Sequence, residues 1–280
     1  MSDTRLDAAP LSDARRLSFN QATAERASLR DVVESCARHE ITTIGVWRHK
    51  LHQIGVERGA RVARDAGVSV SSLCRGGMFP APTEAERCER IDDTRRAIDE
   101  TAALGAPVLV LVCGASPDRD IAGARAMVRD GIAAIESYAA ERGVTLGIEP
   151  LHPAFAAERS CITTLREARL LAEQFDSQTV GVIVDVYHVW WDPERTDEIV
   201  RLGERIVGYH VNDWLVPARD VLMNRGMMGD GVIELRTIRS EVERGGYAGP
   251  IEVEIFNEGI WSLPVDEIVQ LTRNRFIACV

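Results

Sequence analysis

Glu149, Asp185, His210 and Glu254 each close a short apolar, β-branched run: Leu146-Gly147-Ile148-Glu149, Val182-Ile183-Val184-Asp185, Val207-Gly208-Tyr209-His210 and Ile251-Glu252-Val253-Glu254. Three carboxylates and one imidazole suit a single divalent cation that prefers oxygen with some nitrogen, Mn²⁺ first, with Mg²⁺, Co²⁺ or Zn²⁺ as alternatives. Any one of these residues alone reads as a helix cap or a salt-bridge partner. Four together on consecutive strands read as a metal site, because buried like charges repel strongly unless a cation compensates them. Glu252 shares the parity of Glu254 and lies one layer deeper, where an interior arginine is its expected partner.

The elements that must position these groups alternate along the chain. β-like runs fall near 16–20, 41–47, 68–74, 107–113, 144–149, 180–186, 206–212 and 250–256, and helical spacing fills the intervals, as in Leu29, Val32, Val33, Cys36 and in Ile132, Ile135, Tyr138, Ala139. Eight strands alternating with helices predict an α/β fold, a single (β/α)₈ TIM barrel forming one domain over residues 1–280. Such a barrel gathers its strand ends at one mouth, so the four residues converge. An open doubly wound sheet would carry a glycine-rich first turn, and Ser18-Phe19-Asn20-Gln21-Ala22 has none. The connection from Asp213 to Asp230 is long and rich in Met and Arg (Met223, Arg225, Met227, Met228), which predicts a lid or a contact surface.

Bulk properties narrow the partners. Among 280 residues, 45% are hydrophobic, enough for a sizeable core, and 43 acidic against 33 basic residues leave a formal charge of −10. That balance repels phosphate backbones, so no nucleic-acid partner is expected. The six cysteines contain no Cys-x-x-Cys pair and read as buried small hydrophobes of a reducing compartment. Met1 to Pro10 holds no apolar signal core and no long apolar run follows, so no membrane association and a cytoplasmic location are expected.

All five tryptophans follow strand ends, where they would border the mouth; Trp47, Trp191 and Trp214 are candidate substrate contacts, with Trp190 and Trp261 nearby. His152 and His188 are further candidate contacts, as is Arg225 in the long loop. Lys50 is the sole lysine and lies early in the chain, which argues against imine chemistry. No Gly-x-Ser-x-Gly elbow or phosphate loop is present. Exposed Met and aromatic residues around the mouth leave room for a homo-oligomer or a helper subunit.

Glu149-Pro150, Asp185-x-x-His188, His210-x-x-Asp213 and Val253-Glu254-Ile255-Phe256 resemble the signature of the xylose isomerase-like TIM barrels, which include sugar phosphate isomerases, ketose 3-epimerases, inosose-processing enzymes and endonuclease IV nucleases. The resemblance implies one Mn²⁺-type ion held by Glu149, Asp185, His210 and Glu254. It further implies that Glu149 and Glu254 act as the catalytic acid/base pair and that His188 contacts a substrate oxygen. The nuclease branch needs further histidines; strands three and four end in Cys74 and Gly114, and residues 213–230 hold none. The epimerases also carry an arginine shortly after the strand-seven histidine, whereas this chain has Val216 there and reaches Arg219 and Arg225 only later. The implied reaction is proton transfer next to a carbonyl through an enediolate of a small carbohydrate, an isomerisation or epimerisation. A lyase on the same site, of the inosose dehydratase or C-glycoside deglycosidase type, is the alternative.

Overall fold

The computed structural model describes residues 9–280, so most of the Met1 to Pro10 segment lies outside the described residues. Eight parallel strands form a closed barrel: β1 (Leu17–Asn20), β2 (Thr43–Trp47), β3 (Ser69–Gly77), β4 (Val108–Val112), β5 (Thr145–Glu149), β6 (Val180–Asp185), β7 (Ile206–Val211) and, after the two-stranded antiparallel ribbon β8 (Asp213–Trp214) and β9 (Arg225–Gly226), β10 (Ile251–Val253). β10 closes the ring by pairing with both β7 and β1.

The strands form where β-branched residues run together, and β4, Val-Leu-Val-Leu-Val, is buried at every position. Burial on both faces is what a parallel sheet under a helical layer requires. Helices begin where the sequence supplies caps. Ser28 with Asp31 and Thr83 with Glu86 form capping boxes at the starts of Leu29–Arg38 and Glu84–Leu104, each satisfying backbone N–H groups that a first turn leaves open. The main apolar core lies between strands and helices and contains Phe19, Ile44, Leu73, Leu109, Ile148, Val182 and Val253. Inside the barrel a smaller cluster of Cys74, Val108, Val110 and Ile183 plugs the channel beneath the mouth.

Three expectations change. The third strand continues to Gly77 because its pairing with β4 shifts register between Cys74 and Gly76 and then resumes. The last strand ends at Val253, so Glu254 stands just beyond it, although its N–H still reaches the Val211 carbonyl at 3.3 Å. The long connection folds back as the β8–β9 ribbon, with Met227, Met228 and Arg225 buried in place of an exposed Met-rich surface. Asp213 organises it: Oδ1 accepts from the N–H groups of Trp214 and Ile233, and Oδ2 from Gly229. No helix among the described residues is long and apolar enough to cross a membrane.

Candidate active site

Asp185, the last residue of β6, sits opposite His210 on β7, and His210 sits opposite Glu252 on β10. Glu149 ends the neighbouring β5. One atom each from Glu149, Asp185 and His210 falls within a 4.8 Å group, and all three residues are buried. Glu149 Oε1 lies 3.2 Å from His210 Nδ1, yet both atoms lack a hydrogen bond of proper geometry. Buried carboxylate and imidazole atoms normally find partners. Two orphans facing the same point, beside a second carboxylate, are a donor set that fits a divalent cation.

Glu254 is not in that close group. Its Oε2 accepts from Arg225 Nη1 at 3.0 Å, and its Oε1 from Asn20 Nδ2 at 3.2 Å. Arg225 also donates to Asp185 Oδ2 at 3.2 Å and lies between the rings of Tyr187 and Phe256, 4.6 and 4.8 Å from their centroids. The ribbon thus carries Arg225 back into the cluster despite its distance from His210 in sequence. Aromatic faces on both sides suit a guanidinium, whose planar charge is weakly hydrated.

The charges titrate far from their ordinary values. Burial pushes Glu254 up, Arg225 opposes, Glu149 adds, and the result is about 7. His210 resists burial: Glu252, Glu149 and Glu254 outweigh it and raise the imidazole to about 10. Asp185, against its own burial, is held below the usual carboxylate range by His188, Arg225 and His210. Burial lowers His188 to about 3. Its Nδ1 accepts from the His152 N–H at 3.1 Å, which leaves the proton of the neutral ring on Nε2. That nitrogen lies 3.3 Å from Arg225 Nη2, so the two groups can donate to one shared oxygen.

Among the described residues no arginine lies within 4.0 Å of Glu252. Its carboxylate accepts from Asn20 Nδ2 at 2.6 Å, Ser71 Oγ at 2.8 Å and Ser72 Oγ at 2.9 Å. The opposing charge is the His210 imidazole, 4.0 Å away across the β7–β10 pair, and Gly45 makes room: a Cβ there would lie 2.1 Å from Glu252 Oε1. Asn20 bridges Glu252 and Glu254 and accepts from Trp47 Nε1 at 3.0 Å. Asn212 donates to Asp185 Oδ1 at 3.3 Å and to the Glu254 carbonyl at 3.1 Å. Neither asparagine stood out in the sequence as a site residue. The available signal was position alone, since Asn20 ends β1.

Above the cluster lies a small cavity of about 30 Å³, lined by Trp47, Phe155, Phe256, Glu149, Glu254, His188 and Arg225 among others. Trp191 and Trp214 stand behind this wall. The Trp191 indole donates to the His188 carbonyl at 2.8 Å, and Trp214 packs on His152 and Tyr187. His152 Nδ1 accepts from the Ala154 N–H and caps a short turn. Trp190 stacks on Trp214, and Trp261 donates to the Ala22 carbonyl at 2.7 Å. Lys50 is buried at the β2 end, its ammonium on the carbonyls of Glu25 and Ala27.

Known proteins share this architecture. A 3-dehydroshikimate dehydratase of Pseudomonas putida is 27% identical over 228 residues, 76% of this chain. The chain spans 34% of that relative's length. The 3-dehydro-D-guloside 4-epimerase of Escherichia coli is 22% identical, over 73% of this chain and 79% of its own length. The crystal structure of a Sinorhizobium meliloti 1021 protein superposes with a TM-score of 0.93 at 45% identity, covering 95% of this chain and 98% of the other. The IolI protein, solved with a bound zinc atom, superposes at 0.83 with 19% identity, covering 94% and 97%. The model of the xylose isomerase-like TIM barrel matches residues 31–275, the span that holds seven of the eight barrel strands and every residue of the charged cluster named above except Asn20. The closed barrel with its acidic mouth therefore belongs to the xylose isomerase-like TIM barrel family.

Proposed function

We propose that the protein is a divalent-metal-dependent enzyme that moves a proton next to the carbonyl of a small polyhydroxylated keto compound, as an isomerase or epimerase. The observation that carries this reading is the pair of orphaned, buried atoms, Glu149 Oε1 and His210 Nδ1, beside Asp185. Glu149, Asp185 and His210 would hold the ion, and Glu254 would join them by exchanging Arg225 for it. A zinc atom in the IolI protein and sugar epimerases among the relatives support the same assignment. Bound there, a divalent cation would polarise a carbonyl oxygen and stabilise the developing enediolate.

The protein's own groups divide the remaining work. Burial raises the Glu254 carboxyl to about 7 in the metal-free site, and beside a bound cation it would be the carboxylate that takes the substrate proton at Oε1 or Oε2. Glu149, on the neighbouring arc of the mouth, can serve as its partner, so that one carboxylate takes the proton and the other returns it on another face or carbon. His188 Nε2–H and Arg225 Nη2 would donate to a substrate oxygen. Trp47 and Phe256, packed edge to face at 5.6 Å, would cover an apolar face and keep water out.

A lyase on the same site is the second reading, favoured by the dehydratases among the relatives. Abstraction of the same proton followed by loss of a β-hydroxyl gives dehydration. Deuterium exchange from D₂O into a panel of ketoses and cyclic keto compounds, with Mn²⁺ and with EDTA, tests both. Metal-dependent label in a returned isomer or epimer supports the first; label accompanied by loss of water supports the second. Absence of exchange throughout the panel would remove the proton-transfer reading.

A further inference from the structure

Two more arginines line the cavity and have no part in the chemistry above. Arg75 is the extra residue of the β3 bulge: Cys74 pairs with Val110 and Gly76 with Leu111, so Arg75 has no partner on β4. Bulges beside active sites re-aim a side chain. Arg159 comes from the loop after β5, and its backbone is tied to the end of β4. Its carbonyl accepts from the Gly114 N–H at 3.0 Å, and the Cys161 N–H donates to the Gly114 carbonyl at 2.8 Å. Gly114 has φ +98°, and a Cβ there would lie 2.7 Å from Pro80 Cδ, so this close approach requires glycine. Both arginines are therefore presented by constrained backbone.

Several other half-buried arginines are matched by carboxylates. Arg48 meets Asp93 and Glu100, and Arg195 meets Glu241. Arg225 already takes up Asp185 and Glu254. Arg75 and Arg159 are half-buried too, yet among the described residues neither side chain has a hydrogen bond or a carboxylate within 4.0 Å. Arg159 has only the Phe155 ring, 5.9 Å away. Burial lowers its pKa, and the positive charges of Arg75 and Arg225 lower it further. The cavity's own carboxylates, Glu149 and Glu254, lie against His210 and Arg225, so Arg75 and Arg159 are left with no anion within 4.0 Å among the described residues. That arrangement is unfavourable in an empty site and becomes favourable when an anionic group binds.

We infer that Arg75 and Arg159 form an anion-binding subsite of this cavity, so that the keto compound carries a carboxylate or phosphate away from its reacting carbonyl. This rests on the proton-transfer reading of the same cavity, and it narrows the substrate from neutral sugars to keto acids or sugar phosphates. The forked guanidinium suits either oxyanion.

Isothermal titration of the Mn²⁺-loaded protein with 3-dehydroshikimate, fructose 6-phosphate and fructose supplies carboxylate, phosphate and neutral probes. One of the two anionic probes should bind at least about tenfold more tightly than fructose, and which one does identifies the oxyanion. Arg75→Gln and Arg159→Gln should each weaken that probe by about tenfold or more, as losing a charged hydrogen bond does, with Mn²⁺ affinity unchanged. Arg75→Lys should recover part of the loss. Equal binding of all three probes, or an Arg75→Gln/Arg159→Gln double variant that still holds Mn²⁺ and the anionic probe as before, would overturn the subsite. Deuterium exchange on the same samples separates this failure from failure of the proposed reaction. Exchange into fructose without any preference for anions keeps the reaction and removes the subsite; arginine-dependent anion binding without exchange removes the reaction and keeps the subsite.

Discussion

Strands β1 to β4 end in Asn20, Trp47, Gly77 and Val112, whereas β5, β6, β7 and β10 present Glu149, Asp185, His210 and, one residue past the strand, Glu254. Both halves of the barrel use the same short parallel strands under the same helical layer. They differ in what they offer the mouth: one arc supplies a ring, a methyl-lined wall and neutral donors, and the other supplies nearly all of the charge. Concentrating the acids on one arc lets one cation touch several of them, and the apolar arc keeps water from screening that contact. Chemistry and stability should therefore separate by half.

The sharpest way to break this contrast is to neutralise the acids one at a time. Glu149→Gln and Glu254→Gln should each lower turnover by about 10²- to 10⁴-fold, the range of a lost general acid or base, in a steady-state assay on the substrate found by exchange. Full activity in Glu254→Gln would remove it from the catalytic pair. Across the barrel, Leu109→Ala on β4 should cost about 2–5 kcal/mol in urea unfolding, because Leu109 is fully buried in the main core, and should leave Mn²⁺ affinity as it was. His210→Ala should reverse that pattern. Mn²⁺ affinity by titration should fall more than about 100-fold, beyond the loss typical of an outer partner of a metal ligand, while the barrel still folds.

The last effect is a pH slope. In the metal-free protein His210 is raised to about 10 and Glu254 to about 7, so a cation must displace protons to bind. Mn²⁺ affinity should therefore rise with pH, by about tenfold per unit between pH 7 and 10 as one proton leaves His210, and more steeply below 7 where Glu254 is protonated as well. A flat profile would mean that His210 is already neutral and that the acidic arc is less strongly coupled than its spacing indicates.

Much of this organisation was legible in the chain. The alternation of β-branched runs with helical spacing located all eight barrel strands near their observed bounds, because a buried parallel strand needs nearly continuous apolar residues. The charged residue closing each of the last four runs was equally visible. Parity placed Glu252 inside the barrel, as observed, but its partner was misread: in place of an arginine it meets Asn20, Ser71 and Ser72, distant in sequence and neutral, with His210 as the opposing charge. Arg225 was visible as a residue but not as a neighbour, since only the β8–β9 ribbon returns it to Asp185 and Glu254. Met227 and Met228 looked like surface for the same reason, until the ribbon turned them into the core.

The sequence by itself determined the barrel, the strand order around it and the identity of the acids at its mouth, because these follow from local periodicity and from the convergence of parallel strand ends. Only the tertiary structure decided which atoms meet. Register shifts at Val182/Ile183 and at Cys74/Gly76 set Asp185 opposite His210 and aim Arg75 at the cavity. A one-residue slip in pairing reverses the face of every side chain beyond it, and such a slip is chosen by packing across strands rather than by any residue along one.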